Sequence, residues 1–315
     1  MEKAKGAVEF TCISGAGEVT AANVGRSMAQ SLAKEGRALP SFFIVGPPRT
    51  GSSWLNQVLD RHALLPGPLK ETRFFDTHFH RGVKWYLAHY DAPAAGRRMG
   101  EVAPTYFASA LARERMVQLL PSARIVCVFR NPVDRIVSLY RLKRAYGLIP
   151  WNFEEAVRRD PELMETSRYA SHLKLWQRSF GTANVMACIY DDLRGDPQRF
   201  LDEAVDFIGV PRFKLTDWQR GFVHGSENMT HPRNYYGTRS ATLAADWLKA
   251  RRMGRVVSTF KNSALCKLVL GGGPPFPKIS KETQRHMSEI FEPEVEELEH
   301  LLKRDLSAWK MLQRA

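Results

Sequence analysis

The chain has 315 residues, enough for a single domain to bury a core without disulfide or metal staples. Hydrophobic residues make up 44%, charged 25% and aromatic 10%, which excludes a wholly disordered or collagen-like chain. The net charge of +13 favours anionic partners such as nucleotides or sulfated and phosphorylated substrates, but does not choose among them.

No apolar run approaches the ~18 residues that a membrane-spanning helix requires. The start, Met1 to Lys5, lacks the apolar stretch and small-residue site of a secretory signal. Lysine and arginine are spread along the chain with no long basic tail, which argues against a nucleic-acid partner. Cys12, Cys127, Cys188 and Cys266 lie far apart with no zinc spacing, and read as buried free thiols of a reducing compartment.

Residues 1–40 read as an N-terminal extension, with a helix expected from about Ala21 to Gly36. From Ser41 the pattern becomes strand, Gly-rich turn, helix. Phe42 to Val45 is a short apolar run stopped by Gly46 and Pro47, and reads as a buried strand. Arg124–Phe129 and Asn184–Ile189 are further continuous apolar runs, which suit parallel strands covered on both faces. Helical spacing appears over Ser109–Leu120, Pro132–Tyr146, Thr166–Phe180 and Pro197–Ile208. The alternation predicts an α/β chain with a mainly parallel central sheet flanked by helices. Gly271–Pro275 reads as a loop, and Lys281–Lys303 as a charged amphipathic helix. Residues 41–315 are read as one domain with a helical C-terminal part.

Gly46-Pro47-Pro48-Arg49-Thr50-Gly51-Ser52-Ser53-Trp54 follows the first strand and opens a helix. In that context backbone N–H groups and the helix dipole converge on an anion. The Gly-x4-Gly spacing is that of a Walker-type loop, but Ser52 stands where its lysine belongs, and Arg49 is the available cation. The strand ending at Phe129 runs into Arg130-Asn131-Pro132, where Asn131 suits an N-cap and Pro132 the first helical position. Arg130 thus falls at the C-terminal edge of the sheet, where open α/β sheets bind ligands, with Ser138 two turns into the helix.

Together these segments resemble the sulfotransferases that use 3′-phosphoadenosine 5′-phosphosulfate (PAPS). The resemblance implies a P-loop-type three-layer fold. It implies a 5′-phosphosulfate cradle at Pro48, Arg49, Thr50, Gly51, Ser52, Ser53 and Trp54, and a 3′-phosphate site at Arg130 and Ser138. PAPS leaves as 3′,5′-ADP and needs no bridging metal, so the missing Walker lysine has no task. Lys70-Glu71-Thr72-Arg73-Phe74-Phe75-Asp76 is similar to the heparan sulfate 3-O- and N-sulfotransferase branch, which implies Glu71 as catalytic base beside Arg49. Glu101 to Phe107, Tyr190 to Leu193 and Phe207 to Val210 continue the likeness.

The sequence departs from that branch in three places. Arg49 replaces a lysine, Val102 replaces the lysine after a family glutamate, and Gly271–Pro275 lacks the basic residues of the family's C-terminal loop. The disulfide of the extracellular relatives has no counterpart. The implied activity is sulfuryl transfer to a hydroxyl or amine of a carbohydrate, glycolipid or small metabolite, in a bacterial cytoplasm, with the oligomeric state open.

Two readings compete: an ATP-dependent small-molecule kinase with an altered loop, and a non-catalytic anion-binding module. His62, His78, His80 and His89 fit no compact metal motif, so no metal is expected. Trp85, Tyr86, Tyr106 and Phe107 read as core, cleft wall or sugar-stacking surfaces. Tyr169, His172 and Trp176 read as packing, and Tyr235 and Tyr236 as cleft border or loop surface.

Overall fold

A computed structural model describes residues 38–67, 69–91, 97–221, 229–250 and 273–310. The helix expected at Ala21–Gly36, Gly271, Gly272, Cys12 and Cys266 lie outside them.

Four parallel strands form one sheet in the order β2-β1-β3-β4. They are β1 (Phe42–Ile44), β2 (Gly100–Val102), β3 (Arg124–Phe129) and β4 (Val185–Ile189). Side chains alternate across the sheet. Phe43, Val45, Ile125, Cys127 and Phe129 enter one buried cluster, and Phe42, Ile44, Val126, Val128 and Cys188 enter another on the opposite face. Both faces are covered, which is why β1, β3 and β4 read as unbroken apolar runs. Cys127 and Cys188 are buried free thiols on opposite faces.

The helices between strands are α1 (Ser52–Leu59), α2 (Gly82–Leu87), α3 (Ala110–Leu119), α4 (Pro132–Ala145), α5 (Phe153–Arg159), α6 (Pro161–Glu165) and α7 (Tyr169–Phe180). After β4 come α8 (Tyr190–Gly195), α9 (Pro197–Ile208), α10 (Asp217–Gly221), α11 (Tyr235–Ala250), α12 (Lys281–Leu302) and α13 (Ser307–Lys310). Local chemistry sets the boundaries. Asn131 caps α4 by accepting from Val133 N (2.9 Å) and Asp134 N (3.3 Å), ahead of Pro132. Asp196 does the same for α9 ahead of Pro197, and Gly209 ends it at φ 76°. Ser280 caps α12 through Thr283 N (3.0 Å).

Two expectations need correction. The helix expected from Thr166 starts at Tyr169. Thr166 and Ser167 close α6 by bonding back to Glu162 O and Met164 O, so the chain turns before α7 begins. Tyr235 and Tyr236 open α11 instead of lying in a loop. Strand β2 was not anticipated, because only Val102 of its three residues has an apolar side chain.

Val295, Leu298, Leu306 and Trp309 of the C-terminal helices join the same core cluster as Phe43 and Phe129. The C-terminal part thus packs on the sheet's own core.

Candidate active site

The candidate site lies at the C-terminal ends of β1 and β3. The loop from Gly46 to Gly51 leaves β1 so close to β3 that a Cβ on Gly46 would stand 2.4 Å from Val128 N. Thr50 is fully buried and donates its hydroxyl to Pro47 O (2.8 Å), tying the loop to itself. Arg49 sits at φ 78° and Gly51 at φ 98°. Gly51 is the N-cap of α1 and offers no side chain to its N–H groups. The first N–H groups of a helix have no partner inside it, so at Ser52, Ser53 and Trp54 they are available to an anion.

Arg49 reaches across to α4 and donates Nε to Ser138 Oγ at 3.0 Å. This bond joins the two segments that the sequence singled out separately. The Arg49 guanidinium is held below its usual range, first by burial and then by the charge of Arg130. Arg130 lies 5.0 Å above the Tyr190 ring centroid. Two cations held close together against a partly buried wall are an arrangement that a multiply charged anion relieves.

The loop after α1 brings the acid. Glu71 is 23% exposed at the side chain, and its Oε1 lies 3.4 Å from Lys70 Nζ. Burial raises its proton affinity, against the opposing charge of Lys70. Lys70 also donates to Ser53 Oγ (3.3 Å) and is shifted downward, chiefly by burial, with Arg49's charge adding to it. Lys70 therefore stands between the loop's serine and the acid. The sequence segment contained Lys70 but gave it no role, because only the fold shows which way it reaches.

Not every candidate side chain faces this place. Ser52 is 6% exposed, while Ser53 is exposed and touches Lys70. Pro48 is half-buried. Trp54 turns into the core against Phe200 and donates Nε1 to Gln219 O (2.7 Å), so only its backbone belongs to the loop. Val102, in place of the expected lysine, is fully buried in the cluster with Phe42 and Ile44. Tyr86, Tyr106, Phe107, Tyr169 and Trp176 are core, whereas Trp85 is half-buried beside His78 and His89. His62 stacks on Phe213 at 3.5 Å. Among the described residues no three His, Cys, Asp or Glu side chains converge as a metal site. Nor is any helix among them long and apolar enough to cross a membrane.

Comparisons with known proteins accord with this geometry. Residues 39–227 match the sulfotransferase domain family, which is more than half of the chain. The mouse bifunctional heparan sulfate N-deacetylase/N-sulfotransferase 4 is 30% identical over 213 residues, covering 58% of this chain and 24% of that protein. The human bifunctional heparan sulfate N-deacetylase/N-sulfotransferase 2 is 27% identical over 289 residues, covering 79% of this chain and 32% of that protein. The chain thus spans about a quarter to a third of the length of these relatives. A sulfotransferase crystal structure from Alicyclobacillus acidocaldarius superposes with a TM-score of 0.63 at 21% identity, covering 87% of this chain and all of that one, and shares the fold. The phosphate-loop architecture and the family match agree: the chain belongs to the sulfotransferase domain family.

Proposed function

We propose that the chain transfers the sulfuryl group of PAPS to a hydroxyl or amine of a carbohydrate, glycolipid or small metabolite. The observation that carries this reading is the meeting of Arg49, Ser138 and Arg130 at one sheet edge, with Glu71 and Lys70 beside them. A nucleotide with phosphate at both the 5′ and 3′ positions suits that spread of positive charge. The loop N–H groups at Gly51, Ser52, Ser53 and Trp54, with Pro48 and Thr50 shaping the turn, would cradle the 5′ side. Arg130 and Ser138 would hold the 3′-phosphate, and arginine's planar fork suits it.

In the transfer, the acceptor oxygen or nitrogen bonds to sulfur as the bond from sulfur to the 5′-phosphate oxygen breaks. Glu71 takes the acceptor proton, and the electron pair of the broken bond leaves with 3′,5′-ADP. Catalysis of this kind is positioning plus stabilisation of spread negative charge, as in phosphoryl transfer. Arg49 and Lys70 are the cations placed to provide it. Burial raises the proton affinity of Glu71, which makes it a stronger base than an ordinary carboxylate.

The amine-sulfating activity in the names of the mouse and human relatives makes a glucosamine-bearing polysaccharide a first probe acceptor. The free thiols Cys127 and Cys188 support a cytoplasmic setting. The shared core supports reading 41–315 as one domain.

Thermal unfolding tests the donor. At about 100 times its Kd, a ligand stabilises the fold by about 2.7 kcal/mol. 3′,5′-ADP should raise the midpoint well beyond 5′-AMP or ATP with magnesium. A response to ATP with magnesium alone would replace this reading with the kinase.

A further inference from the structure

Glu101 is the middle residue of β2 and has no exposed surface. The transfer scheme gives it no part. A buried carboxylate is costly unless its oxygens are satisfied, and here four donors point at it. Thr72 gives its backbone N–H (2.7 Å) and hydroxyl (2.8 Å) to Oε1, and Tyr106 its hydroxyl at 3.4 Å. Tyr86 donates to Oε2 at 2.8 Å, and its oxygen lies 2.9 Å from that of Tyr90.

Thr72 follows Glu71 directly. Its hydroxyl accepts from Phe74 N (3.2 Å), and the Tyr106 hydroxyl accepts from Phe75 N (3.4 Å). Three backbone N–H groups of the loop therefore end on Glu101 or on a hydroxyl bonded to it. Between them Arg73 takes φ 54°, a left-handed conformation that persists in a non-glycine residue only where its surroundings over-determine it. The Glu101 network provides that constraint.

We propose that Glu101 is the positioning residue of the base: it fixes the backbone at Thr72 and with it the direction in which Glu71 presents its carboxylate to the phosphate loop. The inference rests on Glu71 being the base. The titratable groups facing Glu101 are Tyr86 and Tyr90 from α2 and its end, Tyr106 from the turn after β2, and Glu71 itself. The packed strand β1 and helix α1 carry no ionisable side chain. Burial pushes Glu101 up to about 7 against the pull of its donors, with the charge of Glu71 adding to it.

The test reads release of 3′,5′-ADP from PAPS, with a glucosamine polysaccharide as probe acceptor, in three variants. Glu101→Ala should slow release by roughly ten- to a hundredfold, the scale expected when a catalytic group is misplaced by about 1 Å. Binding of 3′,5′-ADP should stay within about twofold, since the loop and Arg130 make no bond to Glu101. Amide exchange at Thr72, Phe74 and Phe75 should quicken in this variant while residues 130–138 stay protected. Glu101→Gln keeps an acceptor for Thr72 and should recover most of the rate. A merely structural Glu101 would lower stability without separating release from 3′,5′-ADP binding.

Wild-type release in Glu101→Ala would overturn the proposal, as would a Glu101→Gln variant as slow as the alanine one. If the alanine variant does not fold, Thr72→Val carries the test, since it keeps the N–H and removes the hydroxyl. It should slow release several-fold with nucleotide binding intact, and unchanged release would again overturn the proposal. Failure of the base assignment itself shows elsewhere, as undiminished release in Glu71→Gln.

Discussion

The phosphate loop and the base loop lie side by side, yet they are held in opposite ways. Residues 46–51 are shaped by backbone: glycine against Val128, Thr50 bonded to Pro47 three residues away, and left-handed angles at Arg49 and Gly51. Residues 70–76 are shaped by side chains from elsewhere. Glu101 is 29 positions from Thr72, Tyr106 is 31 from Phe75, and Arg115, which donates to Phe75 O at 2.8 Å, is 40 away. The first loop is the proposed donor site, and a donor anion needs a rigid cradle of N–H groups. The second holds the proposed base, whose angle and proton affinity are set by what is packed beneath it.

This difference decides what could be read from the sequence. A local constraint leaves a local signature, so the Gly-x4-Gly spacing and the Arg130-Asn131-Pro132 strand end were legible. β1, β3 and β4 were legible because both faces of the sheet are covered. β2 was not, since an acid in the middle of three residues reads as exposed until its four donors are in view. The bond from Arg49 to Ser138 spans 89 positions and has no signature in either segment alone. Trp54 is the converse case: it stands in the loop motif, but helical geometry turns its ring into the core, which the motif alone does not tell.

The largest effect expected tests the division of labour directly. Glu71→Gln should lower turnover by about 10²- to 10⁴-fold, the usual contribution of a general base. Binding of 3′,5′-ADP, measured by calorimetry, should hardly change, because the donor cradle is built independently. Retained turnover would remove Glu71 from the chemistry, and joint loss of turnover and binding would show that the two loops form one unit.

Next in size, Arg130→Ala should weaken 3′,5′-ADP by roughly ten- to a hundredfold, as expected for charge-assisted hydrogen bonds of about 1.5–3 kcal/mol. The affinity for 5′-AMP should fall far less. Equal losses would mean that Arg130 contributes general positive charge and does not read the 3′-phosphate.

Gly46→Ala probes the backbone construction. Its Cβ would meet Val128 N at 2.4 Å and Val128 O at 2.9 Å, and backbone of a central strand cannot give way as a side-chain tip can. Overpacking of this kind costs about 1–3 kcal/mol, read as a lower denaturant midpoint. Nucleotide affinity should fall with it, since the loop must shift. A variant with normal stability and affinity would show that the loop is softer than its geometry implies.

The smallest effect is expected at the rim, where the C-terminal helices meet the nucleotide edge. Arg304 pairs with Asp192 (Nη2 to Oδ1, 2.6 Å), and Trp309 donates Nε1 to Asp191 Oδ2 at 2.9 Å, next to the Tyr190 ring beneath Arg130. If the donor site is set by backbone, the Arg304 pair is dispensable. The Arg304 side chain is 40% exposed, so solvent screens the pair, and Arg304→Gln should cost under about 1 kcal/mol, less again at high salt. Affinity for 3′,5′-ADP should stay within about twofold, a change of about 0.4 kcal/mol. A tenfold loss would mean that the Tyr190–Asp192 turn, and Arg130 with it, is held in register by the C-terminal helices. The donor site would then depend on distant side chains just as the base loop depends on Glu101, and the contrast between the two loops would fail at its backbone-built half.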